Sequence, residues 1–492
     1  MEILKNNKII KKRIFLFLLF LLSATIFLLL FSWTTSPLFD YKSTDSAIFQ
    51  TFGKFSNRGL AFYKDLFDHK GPIMFLLQKI GFMIIDGKVG VFIIQVCFWT
   101  LTLCGTYKII RMFFETKIAV VLTEVSQLFY ILFYLGLGGN DSAEYILPFL
   151  TFSLYFTILF IKKAKIEGVY EHNPVFSLFY GISFAFGAFT RLTNSLPICI
   201  TVLVITCVLV YKKKWKNIFK NAALLAVGVL IVTVPIFIWF IFHGSFHEMI
   251  DATFIANIKY SETHRYSYTV VSLIKFYARY RMIIIVGLIL GVIGIANKKY
   301  RLLSIVASSN MLGSIIIDLT TPMFYYYALI WTPTVIMIFC ASYFYVKGKI
   351  ITRILLVCTL VFLSINGVKA AKDCYLAKQD TRLKTLREDA LAMKREIPKK
   401  SYSKVFAYET SACFYLETDI PPCYRHFVLQ DFHSSFSKST QKQMKKDIHS
   451  LKADYIIEEN NNKNRKWDKF INKHYHIIKT NKWFVLKKKN GL

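Results

Sequence analysis

Asp40, Asp45, Asp65, Asp68, His69 and Lys70 crowd one short stretch, and Gly71-Pro72 follows directly. A carboxylate in such a place can take the proton of an attacking hydroxyl, and a lysine can hold an anion. Asp45 opens an amphipathic run with apolar residues at Ile48, Phe49, Phe52 and Phe55. That is a helix start, where negative charge is electrostatically favoured, and an N-cap role alone explains it as well as a general base does. Lys70 precedes Pro72 and an apolar run, which suits an anion held at the bilayer surface or a lysine snorkelling from it. A second rich stretch is 243–280, where His264 and Arg265 stand among Tyr260, Tyr266 and Tyr268. At about 38 residues it exceeds the usual connection length, and such loops are commonly lids or binding loops. Its rings suit sugar faces and Arg265 or His264 suits a phosphate, although an interfacial anchoring belt is the plainer reading.

The elements that must position these groups are set by composition. Of 492 residues 54% are hydrophobic and 16% aromatic, only 19% are charged, and the formal charge is +32. Soluble domains run at about 25% charged residues, and here the apolar residues come in long blocks, so a soluble globular protein is excluded. With 46 Phe and 28 Tyr the chain is not a disordered or nucleic-acid-binding polymer, so no nucleic-acid partner is expected. A bilayer core needs roughly 20 apolar helical residues. Runs of that kind lie near 13–33, 88–108, 117–136, 145–161, 174–190, 196–211, 219–242, 281–296, 302–319, 323–346 and 350–366. The first is too long for the apolar core of a signal peptide and is read as a retained span.

With the N-terminus in the cytoplasm, six basic segments fall inside: Met1–Arg13, Lys108–Lys117, Lys162–Lys165, Lys212–Lys220, Lys298–Arg301 and Lys347–Arg353. The acids then collect outside, in 34–87, 137–144 and 243–280. This parity requires that 72–86 lie at the interface or re-enter, since a crossing there would turn every later basic loop outward. The expectation is a multi-pass plasma-membrane protein with its C-terminal part outside the cytoplasm and membrane lipid as its surroundings.

Six of the nine cysteines fall within spans, and Cys413 and Cys423 in the tail could pair or remain thiols. No C-x-x-C pair, H-E-x-x-H or paired zinc spacing suggests a structural metal, and no P-loop or G-x-G-x-x-G supports nucleotide chemistry. After residue 367 the pattern becomes that of a soluble domain. A helix is expected over 370–397, then strands at Lys404–Tyr408, Asp454–Glu458 and Lys482–Lys488. The domains expected are therefore 1–369, carrying the outward loops 34–87 and 243–280, and 370–492.

The run Tyr63-Lys64-Asp65-Leu66-Phe67-Asp68-His69-Lys70-Gly71-Pro72, following an acid soon after the first span, resembles the multi-spanning GT-C glycosyltransferases. It is most similar to the group of dolichyl-phosphate-mannose protein mannosyltransferases and lipid A aminoarabinose transferases. In that group an acid of the first loop is essential and a lysine contacts the lipid phosphate. The resemblance implies Asp45 for the first, followed here by Ser46 where Glu is usual, and Lys70 for the second, with Gly71 replacing a proline. Gly138-Gly139-Asn140-Asp141-Ser142-Ala143-Glu144-Tyr145 resembles a G-G-N-x-x-E-E segment, which implies Glu144 as a second catalytic acid. Thr190-Arg191-Leu192-Thr193-Asn194 resembles a T/L-R-x-N element, which implies Arg191 at the donor phosphate. Tyr325-Tyr326-Tyr327 resembles an H-Y-F element without its His. With Tyr325 and Tyr327, His69, Asn140 and Asp141 would touch substrate.

The fold implied is an all-α polytopic membrane bundle of about eleven transmembrane helices with a small C-terminal extracytoplasmic α/β domain. The function implied is transfer of a sugar from a polyprenyl-phosphate-linked donor to an envelope acceptor outside the cytoplasm, with Asp45 as base. The sequence specifies no cofactor, and Asp45 with Glu144 could hold a divalent cation such as Mg or Mn. The rival is a transporter or flippase of a lipid-linked saccharide. Its matching halves with Gly/Pro-broken helices are not found in the sequence.

Overall fold

The computed structural model describes every residue except 1, 41–43, 135–137, 264–268, 321–323, 346–349, 380–381 and 462–464. It divides into two compact units: Met1–Ser32, Ile93–Ile236 and Tyr266–Tyr375 form one, and Trp33–Phe92, Phe237–Arg265 and Leu376–Leu492 the other.

The first unit is helical, as a chain must be where lipid offers its backbone no hydrogen bonds. A helix stands at each of the eleven expected spans. Among the described residues seven are long and apolar enough to cross a membrane: Ile9–Phe31, Lys88–Ile110, Ser142–Ile166, Leu192–Tyr211, Trp215–Phe242, Arg301–Leu319 and Tyr326–Phe344. Pro174–Ala188 and Met282–Ile295 are apolar but shorter. The chain is thus a multi-span membrane protein. Small residues let its helices approach closely: a methyl added at Gly181 would collide with the Leu225 carbonyl oxygen, and one at Gly228 with the Leu178 oxygen. The fully buried Arg281 binds Asp318 through Nε at 2.8 Å and Nη2 at 3.0 Å, and Nη2 also donates to the Phe324 carbonyl at 3.0 Å.

Two sequence expectations change here. The helix expected over 370–397 is not separate from the last span: Ile350–Gln379 runs on past residue 370 without a proline to stop it, and Arg382–Arg395 is helical as expected. The segment 243–280 is not a long loop. Its described part is mostly helical, with Phe246–Ile250, a π-helical turn at Asp251–Ile255, Ala256–Thr263, Val270–Phe276 and a second π-helical turn at Tyr277–Arg281.

In the second unit the helices Thr44–Ser56 and Pro72–Ile84 pack so closely that a methyl on Gly53 would touch the Gln78 backbone at 2.8 Å. Phe52 stacks on Phe75 with centroids 3.8 Å apart, and Phe62 and Tyr63 close around them. Four strands, β1 Val405–Tyr408, β2 Tyr455–Glu459, β3 Tyr475–Thr480 and β4 Phe484–Lys489, form a sheet ordered β1-β2-β4-β3. β1 and β2 run parallel, while β4 is antiparallel to both β2 and β3. β3 was not expected, and its largely exposed face explains why: an edge strand without apolar alternation leaves a weak signal. Lys487 reaches both oxygens of the buried Glu458 at 2.8 Å, and Arg465 approaches the same carboxylate at 3.2 Å. Cys413 and Cys423 are thiols.

Candidate active site

The acid Asp45 lies in the first turn of the helix Thr44–Ser56 and is half-buried, as its place at a helix start foretold. In the same unit a tight turn precedes the helix Pro72–Ile84, whose first residue is the proline and whose N-cap is the extended Gly71. Asp68 closes that turn by accepting the Lys70 backbone N–H at 2.9 Å, and the Tyr63 hydroxyl donates to the Lys70 carbonyl at 2.7 Å. Tyr63 itself has φ of +63°, a left-handed conformation that non-glycine residues adopt rarely.

His69 is gripped from the rest of the unit. Asn257 donates to its carbonyl at 2.6 Å, and the rings of Tyr260 and Phe436 lie 5.6 Å from its imidazole. The Lys70 ammonium stands 3.2 Å from His69 Nε2, which must therefore be the acceptor. Phe67 donates its backbone N–H to the Arg425 carbonyl at 2.9 Å, which brings the tail residues Arg425, His426 and His433 to the turn. The Arg425 guanidinium lies over the Phe67 ring at 4.9 Å.

Burial governs the ionisation of this cluster. Desolvation, with the Lys70 charge, pushes His69 down to about 3, and desolvation takes His433 down to about 4. Both rings are neutral at pH 7. Burial also opposes the charged form of Asp68, but the neighbouring positive charges and the Lys70 N–H outweigh it and hold the carboxyl below its usual range. Ligand atoms of Asp68, His69 and His433 lie within 4.8 Å of one another, so these are the described residues that could hold a metal ion.

The first unit carries the other candidates. Gly138 and Gly139 take φ of +70° and +82°, and Asn140 follows at +60°. The left-handed turn lets the Asn140 N–H reach Glu144 Oε2 at 3.0 Å, and Gln95 Nε2 donates to both Glu144 oxygens at 3.0 Å. Asp141 caps the short helix Ser142–Tyr145 through Ala143 N–H, and the Tyr145 hydroxyl donates to Asn140 Oδ1 at 2.7 Å. Asn194 ties the Arg191 turn to this one by donating to the Ser142 carbonyl at 3.0 Å. The Arg191 guanidinium lies flat on Tyr327, 3.7 Å from the ring centroid. Its Nε and Nη1 are buried and have no hydrogen-bond partner among the described residues.

His264 and Arg265 lie outside the described residues, as does the side chain of Tyr325, whose backbone begins the 3₁₀ helix Tyr325–Trp331. Sequence reasoning missed Gln95, Asn257, Arg425, His426 and His433. The nearest signal was the density of His and Arg over 425–433, which carries no ligand spacing. A cavity of about 870 Å³ in the first unit, among Lys12, Arg13, Phe17, Lys108, Arg111 and Tyr155, is lined by none of the candidates.

Residues 69–239 match the model of the dolichyl-phosphate-mannose-protein mannosyltransferase family. No curated protein sequence matches the chain. The structure is similar to ArnT from Cupriavidus metallidurans bound to undecaprenyl phosphate, with a TM-score of 0.61 at 11% identity over 96% of this chain and 97% of that one. The apo state of the same protein aligns with a TM-score of 0.59 at 10% identity and the same coverage. AglB from Archaeoglobus fulgidus aligns with a TM-score of 0.47 at 11% identity, over 89% of this chain and 69% of its own. Residues 69–239 are thus similar to the protein mannosyltransferase family, and the fold along nearly the whole chain is like that of ArnT.

Proposed function

We propose that the protein moves a sugar from a polyprenyl-phosphate-linked donor to an acceptor hydroxyl on the outer side of the plasma membrane. The observation that carries this reading is Arg191. Two buried N–H groups of a guanidinium, already stacked on Tyr327, are costly to leave unpaired, and a phosphate oxygen satisfies them with charge-assisted bonds. The ArnT structure of the same fold holds undecaprenyl phosphate, a ligand of that chemistry.

In this reading Asp45 takes the acceptor proton as the acceptor oxygen bonds to the anomeric carbon and the carbon–oxygen bond to phosphate breaks. Lys70 and Arg191 receive the charge that grows on the departing polyprenyl phosphate. One displacement of this kind inverts the anomeric centre. Glu144, whose carboxylate accepts from Gln95 Nε2 and from the Asn140 N–H, acts as the acid that holds the Asn140–Tyr145 turn in shape.

The test compares envelope glycans and lipids from cells carrying the wild-type chain, none, or Asp45→Asn at equal membrane abundance. A sugar modification present only with the wild type supports the reading. A full complement of that modification with Asp45→Asn would remove Asp45 from the chemistry.

A further inference from the structure

The second unit contains a constellation to which the proposed transfer assigns no chemical step. Asp68 is 3% exposed, His433 is fully buried, and His69 lies beside them half-buried. Neither ring nitrogen of His433 makes a well-formed hydrogen bond among the described residues, although the Val428 backbone lies near enough to act on the ring, and His69 Nδ1 has no such bond either. A buried imidazole so weakly bonded is uncommon, because each hydrogen bond lost on burial leaves a desolvation penalty. The aromatic rings of Phe67, Phe432 and Phe436 surround His433 and offer its nitrogens no acceptor or donor of their own. What two imidazoles and a carboxylate converging within 4.8 Å do suit is a borderline-soft cation.

We propose that Asp68, His69 and His433 form a site for one divalent first-row metal ion, of which zinc is the best match. Two histidines and one carboxylate are the ligand set of an open zinc site, with a fourth position left for water or an anionic oxygen. Bonds of about 2.0–2.2 Å place ligand atoms about 3.4 Å apart, so the three side chains must draw in by roughly 1 Å. Asp68 and His69 sit on a turn and His433 on the five-residue helix Gln430–Ser434, both short elements that side-chain rotation can serve. His69 presently accepts from Lys70 through Nε2. An ion taken at Nδ1 requires the opposite tautomer, whose Nε2–H repels the ammonium, so binding would turn Lys70 away from the ring. The ion would clip residues far apart in the chain, since the turn at Asp68 and the tail at His433 have no covalent reason to stay together.

The full-length protein, purified in detergent through a tag that binds no metal, would be stripped with EDTA, incubated with zinc chloride, desalted and assayed for metal by mass spectrometry. The wild type is expected to retain about one zinc per chain, and His433→Ala or Asp68→Asn to weaken retention by at least ~10–100-fold, the loss that even outer-shell changes cause. His426→Ala, which alters a buried histidine outside the ligand set, should retain zinc as the wild type does. Cobalt(II) added to the stripped wild type should give the visible absorption of a low-coordinate site, abolished by competing zinc, and this needs no variant to fold. No zinc retained and no cobalt spectrum in the wild type would overturn the site. So would equal retention in His433→Ala, or a loss in His426→Ala as large as in His433→Ala.

Discussion

Arg191 and Arg281 belong to the same helical unit and have buried guanidinium groups, yet they are treated in opposite ways. Arg281 is fully answered: Asp318 takes it bidentately, the Phe324 carbonyl takes a third bond, and the Tyr277 hydroxyl donates to the same Asp318. Arg191 has an aromatic face beneath it and two N–H groups that no described residue meets. A protein that can satisfy one buried arginine so completely does not leave another open through lack of partners. On the function proposed above, the difference separates a charge that belongs to the scaffold from one kept for the donor phosphate.

The comparison is broken most forcefully at Arg281. Arg281→Met strands the Asp318 carboxylate in the bundle, and removing one partner of such a pair is expected to cost about 3–5 kcal/mol, read as a large fall in thermal stability in detergent. If Arg281→Met and Arg191→Met lowered stability equally, the distinction between the two arginines would fail. Arg191→Met is expected instead to leave the unfolding temperature near the wild type and to weaken binding of undecaprenyl phosphate. Bonds to a charged group are worth about 1.5–3 kcal/mol, so the loss should be roughly 10- to 150-fold. Tyr327→Leu removes the face under the guanidinium while keeping the charge, and a loss of about 0.5–2 kcal/mol in the same binding measurement is expected. Tyr327→Phe should retain most of it.

The smallest effect is expected in the second unit at Asp419, which Lys54 approaches at 2.7 Å and Arg58 at 2.6 Å. Burial opposes its charge, but the bonds and charges of Lys54 and Arg58 prevail and lower its pKa. A lowered carboxyl contributes stability above its unfolded value near 4 and loses it as the pH falls through the folded value. The group is nearly half exposed, so the contribution is that of a surface pair, about 0.2–1 kcal/mol. Asp419→Asn should remove this acid-side slope from the unfolding temperature while changing little at pH 7.

Much of the scaffold was legible in the sequence because bilayer thickness and hydrophobic run length are local quantities. Every expected span is a helix, and Pro72 and Asp45 mark the helix starts they were read to mark. Arg191 and Tyr327 were both singled out, but their stacking could not be, since 135 positions lie between them. The same limit hid His433 beside Asp68, and Arg281 beside Asp318. Residues whose partners are near in sequence announce themselves through periodicity and capping. Those whose partners are distant do so only through the fold.

The second unit is assembled from 33–92, 237–265 and 376–492, three pieces separated by membrane spans. At a synthesis rate of about 5–20 residues per second, roughly 20–80 s pass between the appearance of its first piece and of β4. For that interval Phe49, Phe52, Phe62 and Phe75 have emerged without Phe427, which later packs edge-on against Phe52. The nascent chain must therefore shelter an unfinished aromatic surface while the rest of the bundle is still being inserted. Its yield in cells should depend on chaperones that cover this surface more than on the stability of the finished fold.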